Sequence, residues 1–381
     1  MLAKPHIVIG LRRWPLFRVC GIVGLGLAVI TAQVLSTHMG LRIEVLAAII
    51  GVAISAFFIV VTATKLITGE ERIIYFHHEI GVITIVALLL RVLRQPLLPY
   101  LDITILGIGV FLVCGRIGCL LVGCCHGRPC RWGVRYGEEH SAAGFPSYLV
   151  GVRLFPIQAI ESLCVLFVVA VGTFLVWIGR PPGAALAWYV IAYDAGRFCF
   201  EFARGDADRP YWLGFSQPQW ISLALTSGVI AAERMGALPS VRWHVSALML
   251  LIFAMIGVSL RRLLPGTSRY QLLHPKHMRQ VAFAINAINR SVSARNIDEN
   301  MPPEDILLAR TSLGIQISGS KFQVRAGQMM HYTISSRQGA MSEGAARVLA
   351  YLIRSLTQSA CIEHLIAGRA GMYHLMLRAE S

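Results

Sequence analysis

Three short runs set residues able to handle a charged group inside otherwise apolar sequence. Gly115-Arg116-Ile117-Gly118-Cys119 ends one apolar run, and Pro156-Ile157-Gln158-Ala159-Ile160-Glu161 opens the next. In a third run, Tyr193, Arg197, Glu201 and Arg204 follow one another at spacings of four, four and three. On a helix that spacing makes one polar stripe. A charge in a membrane helix costs roughly 2.5–3.5 kcal/mol on insertion scales, so it usually marks a pathway or a site. Guanidinium groups hold phosphate oxygens in a bidentate fork. Two arginines on different helices, with carboxylates to orient them, therefore suit a phosphate headgroup. Gly115 and Gly118 would let a ligand or another backbone come close to Arg116. Each run also has a plainer reading. Arg116 could snorkel from a helix end, the stripe could be an ion-pair ladder within one helix, and Gln158 and Glu161 could join helices by hydrogen bonds.

Cys119, Cys124, Cys125, His126 and Cys130 fall within twelve positions. Soft ligands this close could bind zinc or another thiophilic metal. Adjacent Cys124 and Cys125 fit poorly into one tetrahedral site, however, and no C-x-x-C pair is present. A disulfide, packing thiols and a catalytic thiol remain open, with packing the leading reading; no metal and no cofactor is expected. His126 reads as an interfacial histidine and His140, beside Glu138 and Glu139, as part of a solvated loop.

The elements that must carry these residues are membrane spans. Of 381 residues, 55% are hydrophobic and only 14% charged, and the mean hydropathy is +0.62. Soluble domains average about 25% charged residues, so a purely globular cytosolic protein is excluded, as is a disordered polymer. Nine cysteines are too sparse for a disulfide scaffold. Runs long enough to span lie at about 15–35, 44–66, 80–92, 103–122, 156–178, 183–202, 218–232 and 245–260. The third and seventh are short and could be tilted, broken or re-entrant. Lys4, Arg12 and Arg13 before the first run resemble a signal-peptide start, but no small-residue cleavage site follows, so that run is expected to be a true span. The reading is an all-α polytopic membrane protein of seven or eight transmembrane helices (residues 1–264) with a small C-terminal soluble α+β domain (residues 265–381). In that tail, helical periodicity covers 277–292 and 342–357 and strand alternation covers 314–324 and 330–335. The net charge of +15 points to anionic membrane lipids and topology rather than to nucleic acid. Counting Lys and Arg would put both ends and the 123–153 loop in the cytoplasm; if that loop's arginines are functional, the count loses its force.

The order and wording of these motifs resemble the prolipoprotein diacylglyceryl transferase family, over about residues 40–235. The matching stretches are Gly115-Arg116-Ile117-Gly118 with Gly123 and Gly127, then Pro156-x-Gln158-x-x-Glu161. Next come Tyr193-x-x-x-Arg197-Phe198-x-x-Glu201-Phe202-x-Arg204 and a 216–222 stretch containing Gln219. The resemblance implies a multi-pass enzyme of the bacterial plasma (inner) membrane, moving diacylglycerol from phosphatidylglycerol to the lipobox cysteine thiol of a prolipoprotein. It makes Arg116 and Arg197 the phosphate clamp, Glu201 the group that orients Arg197, and Tyr193 a headgroup partner. Arg204, Gln158, Glu161, Gly115, Gly118 and Gln219 would complete the substrate site. Asp102 stands where the family often has an acid. Counting back from it puts Phe76 at the family's histidine, beside His77 and His78; a shift of one residue restores a histidine base, and His77 and His78 are the catalytic candidates. The chain departs from the family at Cys119, usually Asn, and at Cys124, usually acidic. Those departures keep a second reading open, a non-catalytic membrane protein that binds phospholipid headgroups or partner proteins. A transporter is disfavoured, because no inverted repeat is visible.

Overall fold

In the computed structural model, residues 4–10, 12–69, 75–263, 269–295, 307–324, 327–357 and 361–378 are described. A short hairpin of β1 (His6–Ile9) and β2 (Arg12–Pro15) precedes helix α1 (Leu16–His38). Helices α2 (Ile43–Thr68), α3 (Tyr75–Val92) and α4 (Leu97–Val122) follow. A loop carrying β3 (Pro129–Val134) and the single turn α5 (Glu138–Ala142) leads to α6 (Ile157–Trp177) and α7 (Ala184–Glu201). The two-residue strands β4 (Tyr211–Trp212) and β5 (Phe215–Ser216) connect to α8 (Gln217–Arg234) and α9 (Arg242–Leu263).

Six of these helices, α1, α2, α3, α4, α6 and α9, are long and apolar enough to cross a membrane. The chain is thus a multi-pass membrane protein. Helices α7 and α8 fall short in apolarity because they carry the polar side chains described below; each is nonetheless an unbroken helix of 18 residues, about 27 Å at 1.5 Å per residue. Two details depart from the sequence reading. Helix α3 begins at Tyr75, not near residue 80, since His77, His78 and Glu79 in its first turns hide it from a hydropathy count. Neither short span is broken.

Successive helices run in opposite directions. His38 at the end of α1 stacks on Trp177 at the end of α6, ring centroids 4.2 Å apart, and His244 near the start of α9 pairs with Glu233 at the end of α8. These contacts belong to one end of the bundle. The opposite end gathers the starts of α1, α3, α6 and α8 with the ends of α2, α4, α7 and α9, and is called the site end below.

Beyond α9 lie α10 (Arg269–Leu272) and α11 (Pro275–Arg295), then β6 (Ala309–Arg310), β7 (Ile315–Val324), β8 (Gly327–Ser336), α12 (Glu343–Thr357), β9 (Cys361–Ala367) and β10 (Tyr373–Arg378). The strands form one antiparallel sheet in the order β6-β7-β8-β10-β9. Alternate residues Ile315, Ile317, Tyr332, Ile334, Leu375 and Leu377 point inward, against Val281, Ile285 and Ile288 of α11 and Leu349 and Ile353 of α12. The expected helices and two strands are present; β6, β9, β10 and α10 were not read from the sequence. The expected boundary at 264/265 lies outside the described residues. The tail sits against the site end, where Arg279 pairs with Asp208 at 2.7 Å and Tyr148 packs on Phe283.

Candidate functional site

Helix α4 sets the first arginine. It starts after Pro96 and ends at Gly123, whose left-handed backbone (φ +84°) turns the chain sharply at the site end. Gly118 packs directly on α1: a Cβ there would lie 3.1 Å from Phe17 and Cys20 side chains. The close approach expected around Arg116 is therefore between helices on that side, whereas a Cβ on Gly115 would meet nothing within 4 Å. Arg116, nearly two turns before the helix end, is buried and points to Glu161, Nη2 to Oε1 3.1 Å.

Glu161 is the hub. It is fully buried in the first turns of α6 and receives groups from four places. Besides Arg116, Arg197 Nε lies 3.7 Å from its Oε1, Arg204 Nη1 3.5 Å from its Oε2, and Tyr193 Oη donates to Oε1 at 3.3 Å. Glu201, one turn after Arg197, pairs with Arg197 at 2.5 Å and also with Arg209. Asp206 takes Arg204 at 3.0 Å and Arg209 at 2.8 Å. Burial opposes ionisation of Asp206, yet Arg204 and Arg209 hold its carboxyl below the usual range. Four guanidiniums thus face three carboxylates, and the cluster holds one cation in excess. Nε of Arg116 and Nε of Arg204 are buried and have no acceptor among the described residues. A buried donor without an acceptor costs about 1–3 kcal/mol, more when charged, so the cluster favours an anion that can take these hydrogens.

Several side chains hold this geometry without joining it. Asp102 on α4 accepts from the backbone N–H of Gly183 and of Leu186, both at 2.7 Å. It caps α7 and fixes how far the polar stripe stands along α4. Gln158 Nε2 donates to Cys124 O at 2.8 Å, tying the loop after α4 to the first turn of α6. The loop then crosses the chain that leaves α7, with Gly127 paired to Arg204 and Arg128 N–H donating to Ala203 O. A Cβ on Gly127 would run into the backbone of Phe155, so only glycine fits that crossing. Gln219 turns inward too: its Oε1 accepts the Ser216 N–H at 2.9 Å and its Nε2 donates to Phe198 O at 3.4 Å. With Ser216 it forms the capping box that starts α8.

The cluster brings together Arg116, Glu161, Tyr193, Arg197, Glu201 and Arg204. It does not bring in the histidines. His77 is exposed at the start of α3, its Nε2 3.5 Å from Gln217 Nε2. His78, one residue on and a 100° turn away, is buried against Phe57 with neither ring nitrogen partnered among the described residues. From that helix, Tyr75 and Phe76 reach Tyr193, with ring centroids at 5.1 and 6.1 Å.

Arg209 and Asp206 were missed as members; their i, i+3 spacing just after the stripe was the available signal. Cys125 was another. Neighbouring Cys119 and Cys124, and then Arg204 and Arg116, bring its thiol below the ordinary range, against the effect of burial.

Residues 73–233 match the prolipoprotein diacylglyceryl transferase family, which bears out the resemblance over that stretch. Among curated proteins, the chain is 34% identical over 145 residues to phosphatidylglycerol–prolipoprotein diacylglyceryl transferase 2 of Clostridium perfringens (36% of this chain, 52% of the relative). It is 35% identical over 127 residues to the phosphatidylglycerol–prolipoprotein diacylglyceryl transferase of Dehalococcoides mccartyi (33% and 46%). It is also 35% identical over 114 residues to that of Clostridium tetani (29% and 42%). The chain spans about half the length of the curated relatives it matches.

Proposed function

Since residues 73–233 match the prolipoprotein diacylglyceryl transferase family, we propose that the protein transfers the diacylglyceryl group of phosphatidylglycerol to the lipobox cysteine thiol of a prolipoprotein. The observation that carries this reading is the pair of spare guanidinium donors, Arg116 Nε and Arg204 Nε, in a buried cluster with one cation in excess. Arg116 and Arg197 hold the headgroup phosphate together with the spare donor of Arg204, Glu201 and Glu161 set the direction of Arg197, and Tyr193 hydrogen-bonds the headgroup. Gly115 lines the approach. Gln158, Gly118 and Gln219 act at one remove, by holding the loop and helices that form the pocket.

In the reaction the acceptor sulfur forms a bond to the glycerol carbon that bears the phosphate oxygen. That C–O bond breaks, and glycerol phosphate leaves with the electron pair. The negative charge gained by the leaving oxygen is what the arginines stabilise; a single donor of this kind is typically worth about 10²–10³-fold in rate. The acceptor thiol must give up its proton, since a free cysteine has a pKa of about 8.5. Of the two histidines His77 is the base, because it is exposed at the site end, and general-base help is worth about 10²–10⁴-fold. His78 packs the helix. All eight long helices cross the bacterial inner membrane, and the site end faces away from the cytoplasm, where secreted precursors arrive. Residues 1–264 form the enzyme bundle and 265–381 a separate soluble domain.

The separation of both histidines from the arginine cluster favours one second reading, a non-catalytic binder of phospholipid headgroups or partner proteins. One experiment divides them. Purified protein is mixed with phosphatidylglycerol vesicles and a lipobox peptide, and the products are read by mass spectrometry. A diacylglyceryl thioether with release of glycerol phosphate, lost in His77→Ala and kept in His78→Ala, is the expected result. Headgroup binding with no thioether leaves the binder.

A further inference from the structure

At the edge of the arginine cluster, three thiols converge. Cys119 lies in the last turn of α4, and the left-handed Gly123 sends the chain back over it. Cys124 Sγ reaches Cys119 O at 3.9 Å. Cys125 itself adopts a left-handed backbone (φ +56°), a conformation that costs a non-glycine residue about 1–3 kcal/mol and persists only where its surroundings hold it. Here Gln158 holds the preceding carbonyl. The turn brings the sulfurs of two consecutive cysteines together with the third, so that all three Sγ atoms lie within 4.8 Å of one another. Cys124 and Cys125, whose adjacency fits poorly into one tetrahedral site, thus converge with Cys119 on this backbone.

We infer that Cys119, Cys124 and Cys125 form a three-coordinate thiolate site for a soft monovalent ion, Cu(I). Metal–sulfur bonds of about 2.3 Å in a trigonal plane place the sulfurs about 4 Å apart, within the observed span. All three are free thiols, and a disulfide would use two and strand the third. No fourth His, Cys, Asp or Glu joins the group among the described residues, which disfavours tetrahedral zinc and suits an ion content with three soft ligands. Cys119 is buried, Cys125 half-buried and Cys124 exposed, so an ion can enter past Cys124. Ion retention by the three thiols can be read with neither lipid nor acceptor present.

The test uses the full chain, reduced and purified in detergent, titrated with Cu(I) against a competing Cu(I) chelator. One equivalent should be retained, and Cys119→Ser and Cys125→Ser should each weaken retention at least 10-fold. Cys130→Ser should leave it unchanged, because that thiol donates to the Trp132 carbonyl and stands outside the trio. X-ray absorption on the loaded wild-type protein guards against variants that fold badly, and should show three sulfur neighbours. Failure of the wild-type protein to retain an equivalent, fewer than three sulfurs around the ion, or undiminished retention by the triple serine variant overturns the site.

Discussion

The helical bundle and the C-terminal sheet domain bury opposite things. In the bundle Glu161 and Arg204 are 0% and 1% exposed, while Leu66 and Ile67 on α2 are 81% and 84% exposed. In the tail, Ile317, Tyr332, Leu349 and Leu375 are buried, and Glu343 and Arg347 pair on the surface. The difference follows from the solvent each region meets. Hydrocarbon takes an outward leucine at no cost but rejects an ion, so the bundle turns its ions inward, where direction and distance decide the fit. Water rewards burial of apolar area regardless of direction, so the tail closes over its leucines. The bundle interior is thus specified by pairing geometry and the tail by volume.

That contrast is open to attack by substitution. The largest effect is expected from Glu161→Gln, which leaves three guanidiniums around a neutral amide. Removing one partner of a buried ion pair costs about 3–5 kcal/mol, and the melting temperature in detergent should fall along with turnover. Arg197→Lys keeps the charge but loses the planar fork. Turnover should drop by about 10²–10³-fold with the melting temperature nearly unchanged; full turnover in a destabilised protein would return the stripe to a structural ladder. In the tail, Leu349→Ala removes a buried side chain that no polar contact can replace, a loss of about 2–5 kcal/mol. Limited proteolysis should then cut the tail while headgroup binding by the bundle persists.

A smaller effect is expected from pH. His277 is buried between Leu272 O (2.8 Å) and Thr311 Oγ1 (3.1 Å), and burial lowers its pKa below the ordinary histidine value. Below about pH 6.5 the unfolded chain binds a proton that the folded tail resists. Tail stability should therefore be full above that pH and decline as pH falls toward the folded value, by at most about 1.4 kcal/mol per pH unit for this group. Denaturant titrations at several pH values measure it, and His277→Gln should flatten the slope. Smallest of all is Leu66→Ala: the same deletion as at Leu349, made on a lipid-facing surface, should stay within about 0.5 kcal/mol.

The features legible in the amino-acid order are those that rest on short-range geometry. The spacing Tyr193-Arg197-Glu201 had to form a stripe because 3.6 residues per turn leave it no other face; Arg204, expected as its fourth member, lies beyond the last turn of α7 and reaches Glu161 from the following loop. Apolar runs gave the spans, and alternation gave β7 and β8. The histidine pair shows the limit of this logic. His77 and His78 are neighbours in the chain, yet one helical step leaves one exposed and the other buried, and which is which depends on where α2 packs. Tertiary structure alone made Glu161 the meeting point of Arg116, Arg197 and Arg204, because those residues approach only when α4, α6 and α7 lie side by side. It also gave Asp102 its cap across to α7, gave Gln219 its place inside the α7–α8 turn, and converged three thiols through one left-handed residue. A carboxylate, an amide or a thiol carries no mark in the sequence of the partner it will find. That choice is made by the packing of distant helices, which fixes the few ångströms over which ion pairs, caps and ligand bonds form or fail.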